Sequence, residues 1–422
     1  MAEGQQYRVT KELTKKDKQA DKAEPVNQGV FRTDPVLCFL EAKGDPLNMW
    51  GMSLRERLVT QFAKEDISEI ITLDELAEHN GPVILLREDC VIDPPLVPVI
   101  AKRPEFALLS DVAGDTSPMS VHTRSEAALE AAEAMQAGKE LPATLNLIAR
   151  RPSELSATFW DKLRKREVPY ARAVSPDTRE ETEWRMFMGT YKGATDLVTK
   201  YLWPRPAFYV TRALAPTSIT PNIVTALSAV CVVLAFWLFW EGQFLAGLVA
   251  AWLMTFLDTV DGKLARTTLT SSKWGDVFDH GIDLIHPPFW YAAWALGLGA
   301  AGLGWSPEMF SFMLTALIGG YILQRIMEGI AIKVLRLEIH IWRPIDTFFR
   351  LITARRNPNL VILTVVTLFL GRPDLALEWV AWWTIICLVL HGIQLVHALI
   401  VKSREGKLTS WMTKPMDTSK SS

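Results

Sequence analysis

Long apolar segments fill the second half of this 422-residue chain and constrain its fold more than any other feature. An α-helix rises about 1.5 Å per residue, so about 20 apolar residues cross the roughly 30 Å hydrocarbon core of a bilayer. Six apolar segments approach or reach this length, and the fifth is the shortest unless residues 356–359 are included in it. We therefore predict six transmembrane helices, at Asn222–Trp240, Phe244–Arg266, Gly275–Gly302, Met309–Lys333, Leu360–Leu370 and Trp379–Val401.

Basic residues in the loops predict the orientation of these helices, because cytoplasmic loops carry an excess of Lys and Arg. One side of the predicted bundle has only Arg372. Both termini, and the soluble half that precedes the helices, are therefore predicted to be cytoplasmic. The basic residues on that side are Arg266, Lys273, Lys333, Arg336, Arg343, Arg350, Arg355, Arg356, Lys402, Arg404 and Lys407.

The first half alternates short apolar strands with amphipathic helices, a pattern typical of an α/β domain with a mostly parallel sheet and helices on both faces. The predicted strands are Pro35–Leu40, Glu69–Leu73, Val83–Leu86, Phe106–Ser110 and Tyr170–Val174. The predicted helices are Leu54–Lys64, Leu73–His79, Pro95–Ala101, Ser125–Ala137 and Ser153–Arg164.

These patterns divide the chain into five parts. We predict a disordered charged tail at 1–33, an α/β domain at 34–180, a linker with an interfacial helix at 181–219, a six-helix membrane domain at 220–405 and a disordered tail at 406–422. The net charge of −2 gives no support to a nucleic-acid partner. The four cysteines are scattered and form neither a disulfide framework nor a metal-ligand spacing.

Four aspartates stand where the second and third predicted spans meet. Asp258 and Asp261 are three residues apart, and Asp279 and Asp283 are four apart, so each pair shares one helix face. The connecting loop is short, which predicts antiparallel neighbours and converging carboxylates. Such carboxylates need countercharge at this depth, and divalent cations with hard oxygen ligands supply it.

The stretch reads D-x-x-D-G-x-x-A-R-x8-G-x-x-x-D-x-x-x-D, with its fixed positions at Asp258, Asp261, Gly262, Ala265, Arg266, Gly275, Asp279 and Asp283. This pattern resembles the signature of the CDP-alcohol phosphotransferases, a membrane family with an interfacial helix and six spans, and the resemblance covers residues 200–405. It implies an enzyme that moves a substituted phosphate from a CDP-alcohol donor to an acceptor hydroxyl and releases CMP. It also implies two Mg²⁺ or Mn²⁺ ions, a homodimer and, for this chain, an integral protein of the bacterial inner membrane with a cytoplasmic active site.

The resemblance assigns roles to the motif residues. Asp258, Asp261 and Asp279 resemble the main metal ligands, and Asp283 resembles the general base, which also touches the second ion. Gly262 has no side chain and lets the nucleotide approach the helix closely. Arg266 can bind phosphate oxygens with its planar fork, and Gly275 permits close packing at the start of the third span.

Further binding residues are less specific. TPNIVT resembles the family's nucleotide-contacting Pro-Asn-x-x-Thr element, which makes Asn222 and Thr225 candidates; a helix N-cap and first turn explain it equally well. Ser272 aligns with a nucleotide-contacting hydroxyl and is also a typical helix start.

The acceptor is predicted to bind near basic residues at the cytoplasmic side. The candidates are Arg325, Arg355 and Arg356. Arg325 and Glu328 stand three residues apart and could instead neutralise each other, and the Arg355–Arg356 pair could be a membrane anchor. His286, one turn from Asp283, is a candidate for orienting it or a packed histidine.

The α/β half resembles the nucleotidyltransferase domain fused to the membrane domain in archaeal inositol-phosphate cytidylyltransferase–di-inositol-phosphate synthases. The matching stretches are PVLCFLEAKGDPLNMWGMSLRERLVTQF and PVILLREDCVIDPPL, in which Asp89 falls near a metal-binding aspartate. The Gly-rich loop and the Pro-Lys that wrap a triphosphate are missing, however. We therefore expect a degenerate, non-catalytic domain.

Three alternatives remain open from the sequence. The donor is either CDP-diacylglycerol or a soluble CDP-polyol, the latter making the protein a di-inositol-phosphate-type synthase. An ion or proton transporter would also place acids in a membrane, but it would spread them along the bilayer depth. A catalytically inactive scaffold would retain the motif without activity.

Overall fold

The computed structural model describes residues 34–41, 47–155, 159–160, 163 and 165–413, in two compact units. One unit contains the described residues up to 160 and 166–183; the other contains 163, 165 and 184–413. The predicted tail at 1–33 and residues 414–422 of the predicted C-terminal tail lie outside the described residues.

The N-terminal unit is built on a six-stranded mixed sheet in the order β4-β1-β5-β8-β7-β9. The pairs β1–β4, β1–β5 and β7–β9 are parallel, whereas β8 runs antiparallel to both of its neighbours. A short antiparallel pair, β6 with β12, lies beside it. The strands are β1 (Val36–Leu40), β2 (Asn48–Met49), β3 (Met52–Ser53), β4 (Ile70–Ile71), β5 (Pro82–Arg87), β6 (Cys90–Ile92), β7 (Phe106–Leu109), β8 (Pro118–Arg124), β9 (Ile148–Arg150), β10 (Phe159–Trp160), β11 (Lys165–Arg166) and β12 (Ala171–Ala173).

Helices cover both faces of this sheet, as predicted. One buried cluster joins Leu37 of β1 to Phe62 and Ile100, and the other joins Cys38 to Ala131. The helices are α1 (Leu54–Ala63), α2 (Leu73–Leu76), α3 (Val97–Lys102) and α4 (Ser125–Ala137).

Three of the five strand pairs in this sheet are parallel, in agreement with the predicted mostly parallel sheet, but the sequence did not predict β8. This strand carries Ser120, His122 and Thr123 at buried positions and so lacks an apolar pattern. Among the described residues of the predicted helix at Ser153–Arg164, no α-helix is present: a 3₁₀ turn at Pro152–Glu154 is followed by an extended Leu155, and Phe159–Trp160 form a strand.

The C-terminal unit is helical. The predicted interfacial segment is not one helix, since it consists of a π-helical turn at Val198–Leu202 and α6, which begins at Pro204. Two further π-helical turns interrupt α10, at Thr315–Gly319 and Ala331–Leu335. The helices are α5 (Arg179–Gly189, which begins in the N-terminal unit), α6 (Pro204–Leu214), α7 (Pro221–Trp240), α8 (Phe244–Thr267), α9 (Lys273–Ala300), α10 (Pro307–Leu335), α11 (Pro344–Arg350), α12 (Arg356–Leu370) and α13 (Pro373–Glu405).

Four helices in the described chain are long and apolar enough to cross a membrane: α7, α8, α10 and α13. Helix α12 is apolar but has only 15 residues. Helix α9 has 28 residues and carries Asp276, Asp279 and Asp283 near its start. The protein is therefore an integral membrane protein with four candidate spans, and the six-span count stays a prediction.

Helices α7, α8 and α9 pack closely at the end opposite the aspartates. Phe239 lies between two glycines: a Cβ added at Gly247 would lie 2.4 Å from its ring, and one at Gly297 would lie 1.8 Å from its carbonyl oxygen. Trp294 completes this core, with its ring centroid 4.8 Å from that of Phe239. Small residues thus allow both helices that carry the aspartates to pack closely against α7.

Candidate active site

The acidic motif residues come together at the end of α8 and the start of α9. Asp258, Asp279 and Asp283 each offer a carboxylate oxygen, and these oxygens lie within 4.8 Å of one another. Asp261 faces the same cavity from α8 and is only 3% exposed. The predicted convergence of the two pairs is present in the fold.

Helix α7 contributes to this carboxylate group through Thr225. Its hydroxyl donates a hydrogen bond to Asp261 Oδ2 at 2.6 Å. The other oxygen of Asp261, Oδ1, is buried without a hydrogen-bond partner among the described residues. An unsatisfied buried carboxylate oxygen is costly and is a natural ligand for a cation.

These residues fit divalent metal ions. Four carboxylates are hard oxygen donors, and Mg²⁺ or Mn²⁺ binds such donors with open positions left for substrate phosphates. The four carboxylates line a cavity of about 400 Å³ within the C-terminal unit. The arrangement can therefore hold cations at the wall of a cavity that admits a substrate.

Every other sequence-predicted site residue lines this same cavity: Asn222, Thr225, Gly262, Arg266, Ser272, Gly275, Arg325, Arg355 and Arg356. Further lining residues were not assigned to the site from the sequence, among them Lys192, Asp196, Thr199 and Tyr321.

Three predicted nucleotide contacts meet at the start of α9. The Ser272 hydroxyl accepts the backbone N–H of Gly275 at 3.0 Å and caps the helix. A Cβ at Gly275 would lie 3.1 Å from both Asn222 Oδ1 and the Ser272 hydroxyl oxygen. Gly275 thus keeps the ends of α7 and α9 close. Ser272 has the helix-start role that the sequence allowed while it also faces the cavity.

Gly262 provides room for a side chain of its own helix. A Cβ at Gly262 would lie 2.8 Å from a terminal guanidinium nitrogen of Arg266, one turn later. The absent side chain therefore lets the Arg266 fork lie back along α8 at the cavity wall. This is a local reason for the Gly-x-x-x-Arg spacing that sequence analysis attributed to nucleotide approach.

Arg356 lines the same cavity as Arg325 and Arg355 but contacts different carboxylates. Its guanidinium contacts Asp258 Oδ2 at 2.5 Å and also forms an ion pair with Asp283. The side chain is 16% exposed. Arg356 therefore joins the two helices of the motif through one carboxylate from each, a contact that the sequence did not indicate.

The other two arginines are held by Glu328. Arg325 contacts both carboxylate oxygens of Glu328, at 2.7 and 2.8 Å, and Arg355 forms an ion pair with it as well. His340 Nε2 lies 3.0 Å from the same carboxylate. The Arg325–Glu328 neutralisation considered from the sequence is therefore present, and both arginines still reach the cavity.

Glu328, His340 and His391 also form a cluster with ligand atoms within 4.8 Å of one another. The donors of Arg325 and Arg355 occupy both oxygens of Glu328. Two guanidinium groups beside three ligand atoms oppose a further cation. This cluster is better explained as the support of the two arginines than as a metal site.

Two prolines in α9 alter the backbone next to Asp283. Helix α9 continues through Pro287 and Pro288, which lack the N–H groups that would bond to the carbonyls of residues 283 and 284. The hydroxyl of Tyr321 donates to the Leu284 carbonyl at 2.9 Å in place of the missing bond. The helix is therefore supported by α10 at this point.

The His286 side chain beside this segment contacts other residues of its own helix. Its Nδ1 is 2.8 Å from the Ile282 carbonyl oxygen, and its ring centroid is 4.5 Å from that of Trp290. This geometry favours the packed histidine over the orienting role that the sequence left open.

A second polar network fixes the start of α12. The Asn357 side chain donates to Asp196 Oδ1 at 3.0 Å and to the Thr199 hydroxyl at 3.1 Å. Asp196 also accepts the backbone N–H groups of Val198 and Thr199. The residue after Arg356 is thereby tied to the segment that precedes α6.

In the N-terminal unit, the carboxylate of Asp89 is paired with the guanidinium of Arg87. Arg87 donates to both of its carboxylate oxygens, at 2.9 and 2.7 Å. The aspartate that the sequence placed near a metal-binding position is therefore neutralised locally.

Residues 218–355 match the family model described as CDP-alcohol phosphatidyltransferase. The C-terminal half therefore carries a region of this family, whereas the match begins beyond the α/β unit, which remains unidentified.

Among curated proteins, the chain is similar to the archaetidylinositol phosphate synthase of Pyrococcus horikoshii, with 33% identity over 118 residues, 28% of this chain and 58% of the relative. It is also similar to the phosphatidylinositol phosphate synthase of Streptomyces avermitilis, with 30% identity over 112 residues, 26% of this chain and 44% of the relative. The chain thus spans about half the length of the curated relatives it matches.

Solved structures of Mycobacterium tuberculosis phosphatidylinositol phosphate synthase are also similar. One, with CDP-DAG bound, has 18% identity and a TM-score of 0.35, covering 45% of this chain and 94% of that chain. Another, in complex with manganese and citrate, has 22% identity and the same TM-score, covering 46% and 88%.

Proposed function

We propose that the C-terminal unit is a metal-dependent CDP-alcohol phosphotransferase that transfers a substituted phosphate from a CDP-alcohol to an acceptor hydroxyl and releases CMP. The observation that carries this proposal is the convergence of Asp258, Asp279 and Asp283, with Asp261 beside them, at a cavity lined by basic side chains. The match of residues 218–355 to the family model supports the same chemistry.

Asp283 is proposed to accept the proton of the acceptor hydroxyl. The hydroxyl oxygen then attacks the β-phosphorus, the bond from that phosphorus to the bridging oxygen breaks, and CMP leaves with the electron pair. Asp258, Asp261 and Asp279 would hold two divalent cations, the second of which Asp283 would also touch, and these cations would supply charge neutralisation at the attacked and leaving phosphates. Arg266 contributes a bidentate donor for phosphate oxygens from the same wall.

The acceptor is proposed to be a phosphorylated polyol, and inositol phosphate is the first choice. Arg325 and Arg355 face the cavity with only one carboxylate, that of Glu328, between them. This leaves net positive charge for a phosphate group. The similarity to an archaetidylinositol phosphate synthase and a phosphatidylinositol phosphate synthase supports this acceptor. The donor is proposed to be CDP-diacylglycerol or a related lipid, with a soluble CDP-polyol as the alternative.

We further propose six membrane spans with the cavity on the cytoplasmic side, and a non-catalytic role for the α/β unit. Helices α9 and α12 would be the third and fifth spans along the chain, in addition to the four candidate spans. The local pairing of Asp89 with Arg87 and the missing Gly-rich loop support a nucleotidyltransferase-like domain without turnover.

The test is a donor and acceptor screen with the purified full-length protein in detergent, measuring CMP release with Mn²⁺ or Mg²⁺ and after EDTA. We expect release only with a metal, a CDP-alcohol and an acceptor together. Asp283→Asn should reduce the rate by roughly 10²-fold or more, because a positioned general base contributes about that much. Asp374→Asn, remote and paired with Arg372, is the matched control.

Metal-independent CMP release, or an Asp283→Asn variant with the wild-type rate, would contradict the proposal. Ion flux in proteoliposomes without any CMP release would favour the transporter.

A further inference from the structure

Arg356 stands at the first position of α12 and reaches the carboxylates of two other helices. One arm of its guanidinium contacts Asp258 on α8 at 2.5 Å, and the other contacts Asp283 on α9. The side chains of Arg356 and Asp258 are 16% and 14% exposed, respectively. The contact is therefore largely screened from solvent and uses the planar fork that only arginine has.

The same two carboxylates belong to the proposed metal site. Each carboxylate already uses one oxygen, Asp258 Oδ2 and Asp283 Oδ1, to accept a guanidinium N–H group, which makes that oxygen a poorer ligand for a cation. A cation at Asp258 and Asp283 would also lie a few ångströms from the guanidinium charge, where the repulsion in a partly buried site is strong. Metal binding and the Arg356 ion pairs therefore compete.

The residues on both sides of Arg356 are held in place by their own contacts. Asn357 is tied to Asp196 and Thr199, and Arg355 is tied to Glu328. Arg356 itself lines the 400 Å³ cavity, so a rotation about its side-chain bonds would take the guanidinium from the aspartates into that space. A phosphate group in the cavity offers oxygen acceptors to the same fork.

We propose that Arg356 serves two ligands in turn: it neutralises Asp258 and Asp283 when no metal is bound, and it binds a substrate phosphate once a metal has displaced it. This proposal rests on the proposed function, because it needs the aspartates to be metal ligands. It makes metal and phosphate binding mutually favourable, since the metal releases an arginine for the phosphate. By linkage, phosphate must then strengthen metal binding by the same factor.

The test measures Mn²⁺ binding by the full-length protein in detergent, without any CDP-alcohol, from the spin-resonance signal of free Mn²⁺. Arg356→Gln removes the competitor, so its Kd for Mn²⁺ should fall by roughly tenfold, the order expected when hydrogen bonds between charged groups are no longer broken. Arg356→Lys keeps the charge but cannot bridge two carboxylates, and its Kd should be intermediate. Arg355→Gln, the adjacent arginine paired with Glu328, should change the Kd less than twofold.

The second measurement repeats the Mn²⁺ titrations with inorganic phosphate. Phosphate should lower the Kd for Mn²⁺ in the wild type, and this effect should be largely lost in Arg356→Gln. An unchanged or higher Mn²⁺ Kd in Arg356→Gln, or an undiminished phosphate effect, would overturn the switch. If Arg355→Gln lowers the Mn²⁺ Kd as much as Arg356→Gln does, the effect comes from the general positive charge, and this result would also overturn the proposal.

The outcomes separate this proposal from the proposed function. If the wild-type protein binds no Mn²⁺, the proposed metal site itself is refuted. If the wild type binds Mn²⁺ and releases CMP but Arg356→Gln has the same Mn²⁺ affinity, only the proposed role of Arg356 is refuted. Thermal unfolding of each variant in EDTA verifies folding, and Arg356→Lys keeps the test available if the glutamine variant does not fold.

Discussion

The hydrogen bond from Thr225 to Asp261 allows a quantitative test of the carboxylate site. Thr225→Val keeps the shape of the side chain and removes the hydroxyl that donates to Asp261 Oδ2 at 2.6 Å. Asp261 is 3% exposed, so no water readily replaces this donor. A hydrogen bond to a charged group contributes about 1.5–3 kcal/mol, and about 1.4 kcal/mol corresponds to a factor of ten.

We therefore expect the Mn²⁺ concentration for half-maximal CMP release to rise by roughly 10- to 100-fold in Thr225→Val, the range seen when a partner of a metal ligand is removed. The maximal rate at saturating Mn²⁺ should change much less, because the ligands themselves remain. The matched control is Thr255→Val on α8, a fully buried threonine whose hydroxyl bonds to the Trp252 carbonyl.

An unchanged Mn²⁺ requirement in Thr225→Val would refute the reasoning, because it would show that the orientation of Asp261 does not depend on α7. A loss of maximal rate with no shift in the Mn²⁺ requirement would place Thr225 on the substrate instead.

Two further predictions concern packing and pH. Gly297→Ala should lower the stability of the protein in detergent by about 1–3 kcal/mol, the typical cost of overpacking, because its Cβ would meet the Phe239 carbonyl at 1.8 Å; thermal unfolding tests this against Gly299→Ala, which has nothing within 4 Å. Burial lowers the pKa of His122 from its ordinary value of 6.5, so its contribution to stability is present above pH 6.5 and is lost as the pH falls below it. Hydrogen-exchange protection of β8, corrected for the intrinsic rate, should therefore fall below pH 6.5 in the wild type and less steeply in His122→Gln.

The sequence predicted the parts of the fold that have a clear apolar pattern. Strands β1 and β5 are apolar and buried, and the helix at Ser125–Ala137 was predicted with its observed bounds. Strand β8 was missed because its buried Ser120 and Thr123 look like loop residues until their partners are known. The antiparallel position of β8 is what makes the sheet mixed.

The candidate site was predicted to the extent that its residues share a local motif. The spacing within each pair, Asp258 with Asp261 and Asp279 with Asp283, shows which residues share a helix face, because helical periodicity is local. Arg356 lies 73 residues from Asp283 in the sequence. Their pairing depends on how α12 packs, which no local pattern encodes. Asp196, which lies 161 residues from its partner Asn357, could not be found for the same reason.

The distance between Arg356 and the motif also has a consequence for biosynthesis. A ribosome-bound chain that has emerged only as far as α9 already contains all four aspartates, while the arginine that pairs with two of them is still untranslated. Until α12 is inserted, this acidic group has neither that partner nor a closed cavity around it, so cations or water must neutralise or solvate it during membrane insertion. The order of translation therefore exposes the most polar part of the membrane domain before its internal counter-ion exists.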